Sequence, residues 1–136
     1  MANAIFVNFP VADLQRAMAF YGALGFSNNP HFTDDTAACM VWNDTINVML
    51  LTHEKWASFT TRPLPPIGSS EVMVALSLDS KDAVDAMNAN AAAHGGVSDI
   101  NPAQDHGFMY GRDFSDPDGH VWGPFWMDIA AFPAPE

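Results

Sequence analysis

Apolar positions along the chain recur in two rhythms, and the switches between them mark its elements. Residues 4–10 read as a strand. From Asp13 onward Leu14, Ala17, Met18, Tyr21 and Leu24 fall at helical spacing, which predicts a helix capped by Asp13 and closed by Gly25. Strands are predicted over 26–33, 36–42 and 45–53, the last two joined at Asn43-Asp44, residues that tolerate a left-handed turn. The stretch from Glu54 to Ser70, with Pro63, Pro65 and Pro66, reads as a linker. The pattern then restarts with a strand over Glu71 to Leu78. A second helix follows, capped by Ser80, carrying Asp82 and Asp85 in its first turns where they complement the helix dipole, and ended by Gly95-Gly96. Three more strands complete this half. An offset of 67 residues lays Phe6 on Met73 and Asp13 on Ser80, an internal repeat of the kind that decides an architecture. The expectation is an α+β chain, residues 1–136 forming one domain of two tandem βαβββ modules: module one 4–53, linker 54–70, module two 71–128. The tail from Ile129 to Glu136, with Pro133 and Pro135, reads as loose polypeptide.

The strongest local signal is Asp116-Pro-Asp-Gly119. Proline presets the turn backbone, aspartate bonds its own main chain and glycine takes the positive φ, so these residues are expected to join antiparallel strands over 108–115 and 120–127. With 136 residues, 49% of them hydrophobic, the chain has enough apolar mass for one core and no room for a second full domain. Its 16 acidic against 5 basic residues give a formal charge of −11, which argues against nucleic acid or an anionic membrane as partner, since phosphate binding needs clustered Lys and Arg. No basic leader precedes an apolar run and no segment is long and apolar enough to span a bilayer, so the cytoplasm is the expected compartment. Cys39, the single cysteine, lies in a strand pattern between Ala38 and Met40 and reads as a buried apolar thiol.

The hairpin, the opening Phe6-Val-Asn-Phe-Pro-Val-Ala-Asp-Leu14 and the helix ending Ala19-Phe-Tyr-Gly-Ala-Leu-Gly-Phe26 together resemble the vicinal oxygen chelate superfamily of glyoxalase I, fosfomycin and bleomycin resistance proteins and extradiol dioxygenases. Gly107-Phe-Met-Tyr-Gly-Arg112 and Trp126-Met-Asp128 resemble a glyoxalase-like branch of it. The resemblance covers nearly the whole chain. It implies a curved mixed sheet, each module packing its helix on one face and turning the other toward a cavity, and a homodimer whose cavities combine strands of two chains. It also implies where a metal would sit, because metal-using members carry a glutamate four residues after the turn glycine and two histidines on the first and fifth strands. Those positions are here Gly123, Phe6 and Met73, none of which can hold a hard divalent ion. No metal and no other cofactor is therefore expected, and no catalytic residue is assigned.

Alternation along the strands assigns residues to the cavity face once position 123 is placed there. Ala4, Phe6 and Asn8 on the first strand, Glu71, Met73, Ala75 and Ser77 on the fifth, and Val121, Gly123, Phe125 and Met127 on the last are expected to line it, with Trp122 and Trp126 covering the helix. A two-residue turn core sets Arg112 opposite Gly123 and gives Phe108 and Tyr110 the same face. An arginine there would bind carboxylate or phosphate; the alternatives are an internal salt bridge to Glu71 or Asp113, or a surface position if the register is off by one. Tyr110 reads as an aromatic wall residue or a hydrogen-bond donor, and Trp42 and Trp56 as packing residues or ligand stackers. Asp116 and Asp118 are explained by turn capping. The five histidines show no ligand spacing; a metal site rebuilt from His53, His106 and Glu71 or Asp113 is the alternative to loop and surface roles. The leading functional reading is a metal-free protein that binds a small molecule in an aromatic and methionine-lined cavity. The alternatives are a metal-dependent lyase, isomerase or dioxygenase with a non-standard ligand set, and an interaction scaffold with a filled cavity.

Overall fold

The structure is a computed structural model, and it describes residues 3–131. The elements follow the predicted rhythm: β1 (Ile5–Val11), α1 (Leu14–Ala23), β2 (Ser27–Asn29), β3 (Ala37–Asn43), β4 (Ile46–Thr52), α2 (His53–Phe59), β5 (Met73–Ser77), α3 (Lys81–Ala93), β6 (Val97–Ser98), β7 (Gln104–Asp105), β8 (Met109–Gly111), β9 (Phe114–Ser115) and β10 (Val121–Met127). The chain divides into two compact units. One runs to Ser69 and includes Pro117–Gly119; the other is made of Ser70–Asp116 and the residues from His120 on.

In the first unit the sheet order is β1-β4-β3-β2, with β1 parallel to β4 and the other pairs antiparallel. Asp13 caps α1 by accepting from Arg16 N–H at 3.0 Å, and Gly25 follows the helix with φ of 110°. Leu14, Ala17, Phe20 and Tyr21, the predicted helical stripe with one substitution, are buried with Val11, Val48 and Leu50. Tyr21 stands edge-on to Phe26 at 5.4 Å, and Phe26 packs on Trp42 at 5.0 Å, so Trp42 is a packing residue. Pro10 is tolerated because β1 is an edge strand, where a missing N–H donor costs no ladder bond on the open side. Cys39 is buried, and burial pushes its thiol pKa up, so the thiolate is disfavoured.

Several predicted details differ. The strand over 26–33 is three residues long, because Pro30 opens a short 3₁₀ turn, Pro30–Phe32, capped by Asn29. The Asn43-Asp44 connection uses no left-handed residue: Asn43 Oδ1 accepts from Thr45 and Ile46 N–H at 3.0 Å each, and Asp99 is the one non-glycine at positive φ among the described residues. The linker holds a helix at its start, α2, whose cap is Thr52 accepting from Lys55 N–H and whose first turn contains Glu54. Predicted as loose chain, Ile129–Ala131 forms a 3₁₀ turn, and the remainder of that tail lies outside the described residues.

In the second unit β10 is central. It pairs parallel with β5 and antiparallel with β8 and β9, which continue outward to β7 and β6. Ser80 caps α3 by accepting from Ala83 N–H at 3.0 Å, and Gly96 N–H returns to Ala91 at its end. Val84, Met87 and Ala91 on α3 form the buried side together with Leu76, Phe114 and Trp122 from the sheet. The single strand predicted over 108–115 is broken at Arg112-Asp113, and Pro124 is the reason. Arg112 N–H donates to the Pro124 carbonyl at 3.2 Å, but proline has no N–H to return, so the ladder lapses and resumes at Phe114.

Candidate functional site

The turn at 116–119 sets the geometry of the site. Asp116 and His120 are paired, Asp116 N–H donating to the His120 carbonyl and Asp116 Oδ1 accepting from His120 N–H, both at 2.9 Å. Three residues, Pro117, Asp118 and Gly119, therefore make the loop, with Gly119 at φ of 90°. This is a common three-residue hairpin, a turn followed by a left-handed glycine, and its extra residue moves the register by one from the predicted two-residue core. Val121 faces Ser115, Trp122 faces Phe114 and Phe125 faces Gly111. Arg112 thus lies opposite Pro124, while the residue across from Gly123 is Asp113. Asp118 also reaches outside the turn: its Oδ1 accepts from Ala12 N–H at 2.9 Å, just before α1, with Arg16 at 3.5 Å.

The one-residue shift sends Arg112 to the helix side of the sheet, correcting its expected place at the cavity. There it meets two carboxylates, neither of them the predicted Glu71 or Asp113. Its Nε and Nη2 hold Asp99 Oδ1 and Oδ2 at 2.9 and 2.6 Å, and its Nη1 reaches Asp85 on α3 at 2.9 Å. Tyr110 follows it, its hydroxyl donating to Asp85. Buried Asn88 adds a 3.3 Å bond to Asp99, a residue held at φ of 53°. Hydrogen bonds from Tyr110 and then Arg112 lower the Asp85 pKa, the Arg112 bonds lower that of Asp99, and the bond to Asp85 raises that of Tyr110. Two aspartates thus occupy Nε, Nη1 and Nη2 of the arginine and offset its charge from the helix side. Lys81 stands 5.9 Å from the Tyr110 ring and 5.5 Å from that of Trp126, so Trp126 does cover the helix side.

On the opposite face of this sheet lies a recess of about 390 Å³, within the size range of small-molecule sites. Its floor is β5 and β10, with Met73, Ala75, Gly123, Phe125 and Met127; β8 adds Met109 and Gly111, and Pro102, Gln104 and Asp113 stand at its other side. Of the residues predicted to line a cavity, the structure brings Met73, Ala75, Gly123, Phe125 and Met127 together here. Phe108 is exposed and stacks on His106 with ring centres 6.1 Å apart, while Phe6 and Asn8 stand on β1 of the first unit, outside this recess. Sequence reasoning passed over Asp113 as a pocket residue, because the two-residue register set Arg112 opposite Gly123 where the three-residue loop sets Asp113. Asn101 Nδ2 donates to Asp113 Oδ2 at 2.8 Å, and Oδ1 is directed at Gly123, where an added Cβ would stand 2.8 Å from it.

The residues do not fit the metal that the family's chemistry uses. Phe6, Met73 and Gly123 hold the inherited ligand positions, and among the described residues no three His, Cys, Asp or Glu side chains converge. His53 opens α2, His94 caps the end of α3 with its Nδ1 2.8 Å from the Asn90 carbonyl, and His106 stacks as described.

No curated protein matches this chain significantly by sequence. Solved structures do. A hypothetical protein from S. aureus superposes with a TM-score of 0.78 at 24% identity, covering 93% of this chain and 94% of its own. A glyoxalase/bleomycin resistance protein/dioxygenase family enzyme from Burkholderia phytofirmans PsJN gives 0.76 at 20% identity, covering 93% and 99%. A glyoxalase-related enzyme from Fulvimarina pelagi gives 0.78 at 17% identity, covering 95% and 91%. These likenesses carry the fold alone. The family model for this group matches residues 5–123, and the chain belongs to the Glyoxalase/Bleomycin resistance protein/Dioxygenase superfamily.

Proposed function

We propose that this chain is a binding protein that holds a small, largely apolar molecule in the recess of its second unit and uses no resident metal to do so. The observation that carries this reading is the lining. Met73, Met109, Met127 and Phe125 surround a recess of about 390 Å³, and flexible thioethers with one aromatic face suit an apolar ligand body of varied shape. The substitution of Phe, Met and Gly at the inherited ligand positions supports the metal-free part, because the lyase and dioxygenase reactions of the superfamily need a ligand set that these residues do not supply. The chain is further proposed to act as a homodimer in the cytoplasm.

The test is nuclear magnetic resonance on protein with isotope-labelled methionine methyl groups, stripped with chelator and titrated with a panel of aromatic fragments. The signals of Met73, Met109 and Met127 are expected to move while that of Met40, buried in the first unit, stays put. Ala75→Trp, which fills the recess from an exposed floor position, is expected to abolish the shifts without unfolding the protein. Shifts that need an added divalent metal would overturn the metal-free reading.

A further inference from the structure

The recess carries one charged side chain, and its chemistry names a ligand class. Among the lining residues Asp113 is the sole ionisable group, and among the described residues no Lys, Arg or His pairs with it. Its neighbour Arg112 is committed to Asp85 and Asp99 on the other face of the sheet. The one polar partner of its carboxylate is Asn101, a neutral donor at 2.8 Å on Oδ2, which orients the group and leaves its charge uncompensated. Oδ1 points over Gly123. That glycine is not demanded by backbone conformation, since it is not among the residues at positive φ. It is demanded by space, because a Cβ there would stand 2.8 Å from Asp113 Oδ1. The pair Gly123 and Asp113 therefore keeps a carboxylate oxygen at the wall of a recess whose only other polar side chain is that of Gln104.

We infer that the recess selects an organic cation, a protonated amine on an apolar or aromatic body, with Asp113 as its counter-ion. The inference rests on the reading of the recess as a binding site. A half-exposed carboxylate beside methionine and aromatic walls gains most from a ligand that brings both a positive charge and apolar surface. The ring of Phe125 and the sulfurs of the three methionines favour a soft, weakly hydrated cation over a small hard one. The net charge of −11 raises the local concentration of cations around the whole chain and repels the carboxylates and phosphates that an arginine at this place would have collected.

Phenethylamine, phenethyl alcohol and phenylacetate share an aromatic body and differ in charge, so they separate the contributions. By calorimetric titration at neutral pH and fixed ionic strength, the amine is expected to bind about tenfold or more tightly than the alcohol, and phenylacetate most weakly of the three. Asp113→Asn is expected to bring the amine to the affinity of the alcohol. Gly123→Ala reaches the same carboxylate by displacing it and is expected to reduce the preference for the amine. Equal affinities of amine and alcohol, each abolished by Ala75→Trp, would overturn the cation inference and leave the binding reading standing. A preference that survives in Asp113→Asn would assign it to the general acidity of the surface and overturn the role of Asp113. Absence of binding by all three, with unmoved methionine signals, would overturn both readings.

Discussion

Gly123 illustrates how a missing side chain can be structural information. At the position where the superfamily's metal users carry a carboxylate on the last strand, this chain has a hydrogen atom, and the space is claimed by Asp113 from the break between β8 and β9 alongside. Adding a methyl at 123 forces a contact, yet the obstructing atom is the free end of a rotatable side chain, so Asp113 can swing aside. Gly→Ala also removes conformational freedom from the unfolded chain, worth roughly 0.4–1 kcal/mol of stabilisation where the backbone permits it. Gly123→Ala is therefore expected to leave the melting midpoint nearly unchanged, the two effects opposing each other, while breaking the Asn101–Asp113 bond. Thermal denaturation together with the side-chain amide signal of Asn101 checks both halves; a large loss of stability would show that Asp113 has nowhere to go.

At the scale of elements, the cluster around Arg112 clips α3 and the Asp99 turn to the strand that carries Tyr110. All three charged groups are partly exposed, with side-chain exposures of 23% for Arg112, 48% for Asp85 and 43% for Asp99. Solvent screening thus limits the gain to about 1 kcal/mol. Arg112→Met is expected to cost about that much and to leave ligand affinity unaltered, since the side chain faces away from the recess. Both aspartates have lowered pKa values in the folded state, so their stabilisation is complete above the unfolded carboxylate pKa near 3.8 and is lost as pH falls through the folded values below it. Denaturation midpoints are expected to fall in that acid window in the parent and to fall less in Arg112→Met. An equal acid sensitivity in both would assign it to other carboxylates. The repeat, both helix caps and the hairpin were legible because each rests on local chemistry: Asp13, Ser80 and the Pro-Asp-Gly triplet act on backbone a few residues away. The faces of residues 108–113 were not, because a loop of two or three residues is a small local difference with an opposite consequence for every side chain beyond it. Pro124 was visible all along as a missing donor in a central strand, and with it the break at Arg112-Asp113. The helix α2 was legible in Thr52 and Glu54, but the prolines after it dominated the reading.

At the scale of the whole molecule, the exposed apolar residues support the proposed homodimer. Phe6 and Met73, the repeat partners, are 52% and 67% exposed, and Val72 and Phe59 are similarly uncovered. Scattered exposure of this kind is ordinary, but several large apolar side chains on one small chain favour a partner surface. Sedimentation equilibrium at micromolar concentration is expected to return twice the chain mass; a single chain mass would remove the dimer from the proposal. The assignment of Pro117–Gly119 to the first unit has a consequence for how the protein is made. Synthesis proceeds from the N-terminus and domains tend to fold as their residues emerge, yet the loop preceding α1 receives the Asp118 carboxylate only after residues 70–116 have been translated. On the ribosome the Ala12 N–H therefore lacks its final acceptor until Asp118 has left the tunnel.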